Sequence, residues 1–198
     1  MEQAGKKNWR EYLFTYRSYT PIPFLIVMVI FSRPTLESLV IGFALALAGE
    51  LIRLWGVSYA GSETRTTGTV GGTHLITGGP YAFVRNPLYI GNILMYVGIG
   101  IMSNALMPFL PLVALVYFAF QYFSIVYLEE KYLSATFDDW KEYAAKVNRF
   151  VPRLSRFNGR GMFKPNLGHG LRSERSSLIA LSSISLFLIL IFIYRNMA

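Results

Sequence analysis

Two stretches of this chain carry side chains able to bind and handle a small ligand. The first runs from Gly68 to Asn92, GTVGGTHLITGGPYAFVRNPLYIGN. Five of its glycines precede Pro80, so the backbone there can turn sharply and come close to a bound molecule. His74, Tyr81, Arg85, Asn86 and Tyr89 supply polar and aromatic groups within the same stretch. The second is the adjacent carboxylate pair Glu129-Glu130 at the end of an apolar run. Several chemistries are excluded. No G-x-G-x-x-G follows a strand and no G-K-[ST] is present, so neither nucleotide fingerprint applies. There is no cysteine, which removes thiol catalysis, disulfides and Cys-ligated zinc. The two histidines, His74 and His169, are too few for a His-rich metal site, and no metal is expected.

The elements that position these groups are membrane helices. Of 198 residues 53% are hydrophobic and 15% charged, against about 25% charged in an ordinary soluble domain. That composition excludes disorder and a basic nucleic-acid arm. Crossing the hydrocarbon core takes about 20 apolar residues. Five stretches reach or approach that length: 19–32, 39–60, 88–102, 107–128 and 177–194. The third and fourth are separated only by 103–106 and should form a tight helical hairpin. Pro21 and Pro23 sit at the start of the first, where proline is tolerated. The N-terminus lacks the small-residue cleavage site of a secretory signal. Sixteen of the 19 Lys and Arg fall on one side of this arrangement, Arg33 and Arg195 on the other, and Arg53 inside a span. The positive-inside rule then predicts a multi-pass protein with five crossings, its N-terminus and both candidate stretches cytoplasmic. The basic run from Arg149 to Lys164 suits anionic headgroups as well. A short amphipathic helix is expected over 137–146, N-capped by Thr136 with Asp138 and Asp139 in its first turn.

The stretch HLITGGPYAFVRNPLYIG, followed by YLEEKYLSATFDDWKEYAAKVNRFVPRL, resembles the signature of the integral membrane methyltransferases. That superfamily includes isoprenylcysteine carboxyl methyltransferases and phospholipid N-methyltransferases. Its pattern runs H-x-x-x-x-G-P-Y-x-x-x-R-H-P-x-Y-x-G, an acidic pair, F-G-x-x-Y-x-x-Y and a closing R-x-x-P. The likeness covers about residues 70–155. Asn86 stands where the family has histidine and Asp138 where it has glycine. The stretch 121–128 lacks the basic residue that the isoprenylcysteine branch places before its acidic residues.

The resemblance implies an all-α membrane bundle of about five transmembrane helices, with a cytoplasmic pocket for S-adenosylmethionine built from loop and helix ends. It implies one domain over 1–198: N-terminal helices at 18–66, a cofactor-binding core at 67–155, a linker at 156–175 and an extra C-terminal helix at 176–198. Cofactor contacts are expected from His74, Gly79, Pro80, Tyr81, Arg85, Asn86, Pro87, Tyr89, Glu129 and Glu130. Arg85 would take the cofactor carboxylate and Glu130 or Glu129 its ammonium or ribose, with Tyr81 and Tyr89 beside the adenine. Arg85 and Glu130 are the expected catalytic pair, Glu130 accepting a proton where the acceptor is an amine. The implied partner is a lipid or prenylated small molecule, with carboxyl methylation of an isoprenylcysteine-type acceptor ahead of phospholipid N-methylation. An NADPH-dependent reductase of the sterol type and a non-catalytic scaffold are the other readings. Glu50 and Arg53, three apart in the second span and on one face, should pair within their helix and face the bundle, with a place in a substrate pocket as the alternative. Tyr122, Tyr127 and Tyr132 read as belt or core, and His169 as a linker residue.

Overall fold

The structure is a computed structural model that describes residues 8–61, 72–159 and 164–197. Lys6, Lys7, Arg65 and Arg160, among the basic residues of one side, and Gly68 and Gly71 of the glycine-rich stretch lie outside the described residues. Every regular element described is helical. In chain order they are α1 (Trp9–Tyr16), α2 (Ile22–Ile30), α3 (Leu36–Ala60), a 3-10 turn (Gly79–Ala82), α4 (Pro87–Ser103), α5 (Phe109–Thr136), α6 (Trp140–Lys146) and α7 (Leu167–Met197). Three of them, α3, α5 and α7, are long and apolar enough to cross a membrane, and α4 is a shorter apolar helix. The protein is a membrane helical bundle.

The first expected span is shorter in the structure than its apolar run. Its helix has nine residues, roughly 13 Å at 1.5 Å per residue, less than half the hydrocarbon thickness. Two local features trim it. Prolines at its start hold the preceding residues in turns, and Phe31 ends it three residues before Pro34. The chain then returns at once, because Arg33 N–H donates to Ser103 O at 2.8 Å at the end of α4. Thr35 caps α3, exchanging bonds of 2.9 and 3.1 Å with Ser38.

The centre of the bundle is the antiparallel pair α3 and α4, held apart by almost nothing. A Cβ built on Gly42 would sit 2.5 Å from Gly98 O, and one on Gly49 would sit 2.5 Å from Gly91 O. Glycines seven residues apart on each helix thus face each other, and the backbones touch. Small residues are how helices pack closely where lipid offers no hydrophobic drive. Around this pair, α5 packs on α4 and α7 runs antiparallel to α3. The α7 register is fixed by Asn166 N–H to Ser58 O at 2.8 Å, Glu174 beside Arg53, and Ser177 Oγ to Glu50 Oε2 at 2.6 Å.

Two helix boundaries differ from expectation. Between Leu128 and Thr136 no glycine or proline interrupts the sequence, so α5 continues beyond its apolar run. Thr136 is therefore inside α5, its hydroxyl donating back to Tyr132 O at 2.9 Å, and does not cap α6. α6 instead begins at Trp140. α7 starts ten residues before its apolar run, at Leu167, where Asn166 Oδ1 accepts from His169 N–H at 2.9 Å. His169 therefore belongs to the first turn of α7, with its ring 3.3 Å from Ser173 Oγ, and is not a linker residue.

Candidate functional site

The site end of the bundle is built on the 3-10 turn. Gly79 has φ 59, and a Cβ there would sit 2.5 Å from the Tyr59 ring at the end of α3. Only glycine fits such a backbone pressed on an aromatic ring. Pro80 and Ala82 are buried beside it, and Tyr143 of α6 donates its hydroxyl to Tyr81 O at 2.8 Å. Pro87 opens α4, where its missing N–H is no loss.

The stretch after α6 is stitched to this turn by three backbone bonds. Arg85 N–H donates to Asn148 O at 2.9 Å, Arg153 N–H to Phe83 O at 2.9 Å, and Phe157 N–H to Ala82 O at 3.0 Å. Asn86 adds its side-chain N–H to Arg149 O at 3.2 Å. Its carboxamide thus acts as a tether between the two strips of chain. Under them, Ala82, Trp140, Tyr143, Val147 and Phe157 form a small apolar core that holds the wall rigid.

This folding brings together a triad of charges. Glu130 faces Arg85 (Nη2 to Oε1, 3.4 Å) and Arg149 (Nη2 to Oε2, 2.6 Å; Nε to Oε2, 2.7 Å). The Arg85 and Glu130 side chains are 12% and 11% exposed. Arg85 Nε and Glu130 Oε1 are buried without a hydrogen-bond partner, so the pair attracts by charge while its donor and acceptor remain unused. Burial lowers the affinity of the Arg85 guanidinium for its proton; Glu130 opposes that shift and Arg149 adds to it. Burial likewise pushes the Tyr81 and Tyr143 hydroxyls up, so both stay protonated donors.

Glu129 sits one residue along α5, about 100° round the helix, and faces a different neighbour. It accepts the Tyr89 hydroxyl at 2.6 Å. His74 stands at the rim, 2.8 Å from Thr73 Oγ1 by Nδ1. These groups line one cavity of about 720 Å³, within the range of small-molecule sites. Of the ten expected cofactor residues, His74, Tyr81, Arg85, Asn86, Pro87, Tyr89, Glu129 and Glu130 line it. Gly79 and Pro80 lie behind it as support. Among the described residues no group of three or more His, Cys, Asp or Glu could hold a metal ion.

The cavity also has residues that the sequence reading missed. Trp140 and Tyr143 form part of its wall, and Arg85 lies over the Trp140 ring at 5.5 Å. Tyr132 lines it too, donating to Gly72 O at 3.1 Å, and so is not a belt residue. Tyr122 is buried core and lines the cavity, while Tyr127 is an exposed belt position under Arg10. Arg149 was legible as the arginine of the closing R-x-x-P, Arg149 to Pro152.

From the charge triad the cavity continues into the apolar bundle, between α4 and α7, to a second polar group. Arg53 donates to Glu174 and to Asn92 Oδ1, and lies 3.5 Å from Glu50 Oε2. The expected pair within α3 exists, but a carboxylate on α7 is the closer partner.

The sequence model of the phospholipid methyltransferase family matches residues 38–139, just over half of the chain. The cobalt-zinc-cadmium resistance protein CzcN of Cupriavidus metallidurans is 34% identical over 119 residues, 60% of this chain and 50% of that protein. The nickel-cobalt-cadmium resistance protein NccN of Alcaligenes xylosoxydans xylosoxydans is 30% identical over 138 residues, 70% of this chain and 59% of its own length. The chain thus spans between half and three-fifths of these relatives. No solved structure matches it. With the family's sequence pattern laid over this helical bundle and its cavity, the chain belongs to the phospholipid methyltransferase family, within the isoprenylcysteine carboxyl methyltransferase-like superfamily of membrane methyltransferases.

Proposed function

We propose that the chain moves the methyl group of S-adenosylmethionine to the polar head of a lipid acceptor, with the site end of the bundle in the cytoplasm. One observation carries this reading. The stretches 74–92 and 129–143, far apart in sequence, wall a single cavity that runs from a charge triad into the apolar bundle.

The donor set suits the cofactor. Arg85 keeps an unused buried N–H for a carboxylate, and Glu130 an unused oxygen for an ammonium or a ribose hydroxyl. Trp140 and Tyr132 offer flat apolar surface for adenine. When bound, S-adenosylmethionine supplies an electrophilic methyl group with a neutral thioether as leaving group. The protein's part is to hold the partners in line and to exclude water. Glu130, fixed by two guanidinium groups, suits holding a cation. Glu129 is engaged by one neutral hydroxyl, so it is the better group to take up a proton when the acceptor is an amine.

A carboxylate acceptor of isoprenylcysteine type would need a free cation. Of the arginines that line the cavity, Arg85 is taken by the cofactor carboxylate in this reading, Arg53 pairs with Glu50 and Glu174, and Arg17 donates to Phe14 O at 2.8 Å. That favours an acceptor with a different head.

The test is thermal unfolding of the purified protein with S-adenosylhomocysteine or NADPH. Stabilisation by S-adenosylhomocysteine alone, lost in Arg85→Ala, is the expected result. A shift with NADPH alone would assign a reductase, and no shift with either would leave a scaffold. Radiolabelled methyl transfer to membrane lipids then reads turnover directly, and Arg85→Ala should abolish it while the protein still inserts.

A further inference from the structure

Glu50, Arg53 and Glu174 form a buried group of charges that the methyl-donor end does not use. They lie about two turns below the site end of α3, in the apolar part of the bundle. Arg53 and Glu174 line the cavity, with Asn92 and Ser177 beside them. Two carboxyl groups share one guanidinium where water is scarce. Glu50 is 1% exposed, and its Oε1 has no hydrogen-bond partner. An uncompensated buried carboxylate is unfavourable unless something donates to it. No donor within the group reaches Glu50 Oε1. Arg53 bonds Glu174 and Asn92, and Ser177 Oγ donates to Glu50 Oε2 at 2.6 Å.

We propose that this ring of Arg53, Asn92, Glu174 and Ser177 is the seat of the acceptor's polar head, and that it accepts a head that donates hydrogen bonds and rejects an anion. Glu174 is the group facing the cavity, and Glu50 stands behind it through Ser177. A donor arriving here meets a carboxylate already oriented by Arg53 on one oxygen, Oε2. An arriving carboxylate meets two carboxyl groups and a guanidinium whose Nε and Nη2 edge is already turned to Glu174. The walls on both sides, Met95, Ile99, Leu181 and Ile184, are apolar and suit an alkyl chain. Arg53 and Asn92 lie within the residues matched by the family, whereas Glu174 and Ser177 belong to α7, outside them.

This inference rests on the methyl-transfer reading for its biological sense, but its test does not use the cofactor. Protein in lipid nanodiscs is unfolded thermally with dodecylamine, 1-dodecanol or dodecanoate, without any nucleoside. Amine, alcohol and acid carry the same chain, so their ranking reports the head alone, and the first two separate a cationic donor from a neutral one. The expected result is stabilisation by the amine or the alcohol and none by dodecanoate. In Glu174→Gln the donor-probe shift should fall by at least half, while the shift with S-adenosylhomocysteine is kept. Dodecanoate stabilising as well as the donor probes, or no shift with any probe, overturns the proposal in the wild-type protein, whatever the variant does. If Glu174 merely pins α7, Glu174→Gln will lower the starting unfolding temperature yet leave the donor-probe shift intact, which also overturns it. Loss of the S-adenosylhomocysteine response in the wild type sinks the methyl-donor reading separately.

Discussion

Replacing Glu130 by glutamine isolates the charge triad from everything else in the cavity. Shape and size hardly change, but two guanidinium groups lose their shared carboxylate. Their surroundings differ. The Arg149 side chain is 46% exposed and regains water, so its share is near the 0–1 kcal/mol of a surface pair. Arg85 is 12% exposed and its Nε already lacks a partner, so it has no such refuge. Breaking a fully buried pair costs about 3–5 kcal/mol. The residual exposure and the Trp140 face beneath the guanidinium bring that toward about 2–3 kcal/mol. In a chain of this length such a loss lowers the unfolding temperature by roughly 4–12 °C. The ligand response is the sharper readout. S-adenosylhomocysteine at a hundred times its dissociation constant stabilises the wild type by about 2.7 kcal/mol, and a tenfold weaker site would show about 1.4 kcal/mol at the same concentration. Differential scanning fluorimetry of both proteins over a ligand series measures the two effects together. Glu142→Gln is the control. It removes the same charge from an exposed pair with Lys146 at 2.7 Å and should change neither quantity. Wild-type stability and an undiminished ligand shift in Glu130→Gln would refute the claim that Glu130 is both buried among cations and part of the cofactor site.

Two other perturbations probe the frame that holds the site. Gly49→Leu drives a side chain into the Gly91 carbonyl at the contact of α3 and α4; it should abolish recovery of folded protein, and a monodisperse, thermally normal variant on size-exclusion chromatography would contradict the packing. Gly79→Ala combines a left-handed backbone with a clash against Tyr59; roughly 2–4 kcal/mol of local strain is expected, seen as weaker S-adenosylhomocysteine binding by calorimetry with helical content unchanged, and unaltered affinity would show that the turn tolerates a side chain.

Much of the site could be read from the sequence because its parts are local. Glycines before Pro80, the arginine at position 85, the acidic pair and the arginine-proline ending all lie in short strips whose order is itself informative. The folded chain adds what strips cannot state. Two neighbouring glutamates diverge by a third of a helical turn, so one meets a tyrosine and the other two arginines. The departure at Asn86 becomes intelligible once its carboxamide is found on the Arg149 carbonyl: the position ties the two strips together, and that needs a donor but no titration. The shorter first helix and the longer α5 and α7 follow from prolines and their absence. Hydropathy alone ends a helix where the apolar residues stop, while the backbone continues its hydrogen bonds until something prevents it.

The contact that most escaped the sequence joins Arg53 to Glu174, 121 positions apart. Glu174 stands in a polar, glycine-rich passage, and nothing near it marks that passage as helical or as membrane-facing. Glu50 and Arg53, by contrast, are three apart and look self-sufficient. They are not, because a glutamate at i and an arginine at i+3 meet only at 3.5 Å here, and the guanidinium turns its fork to α7. A buried arginine that prefers a distant helix fixes that helix in register, as the neighbouring Ser177 bond to Glu50 confirms one turn further on. The extra helix is therefore part of the cavity wall: removing α7 would take Glu174 from Arg53 and Ser177 from Glu50, and would open the chamber along α3.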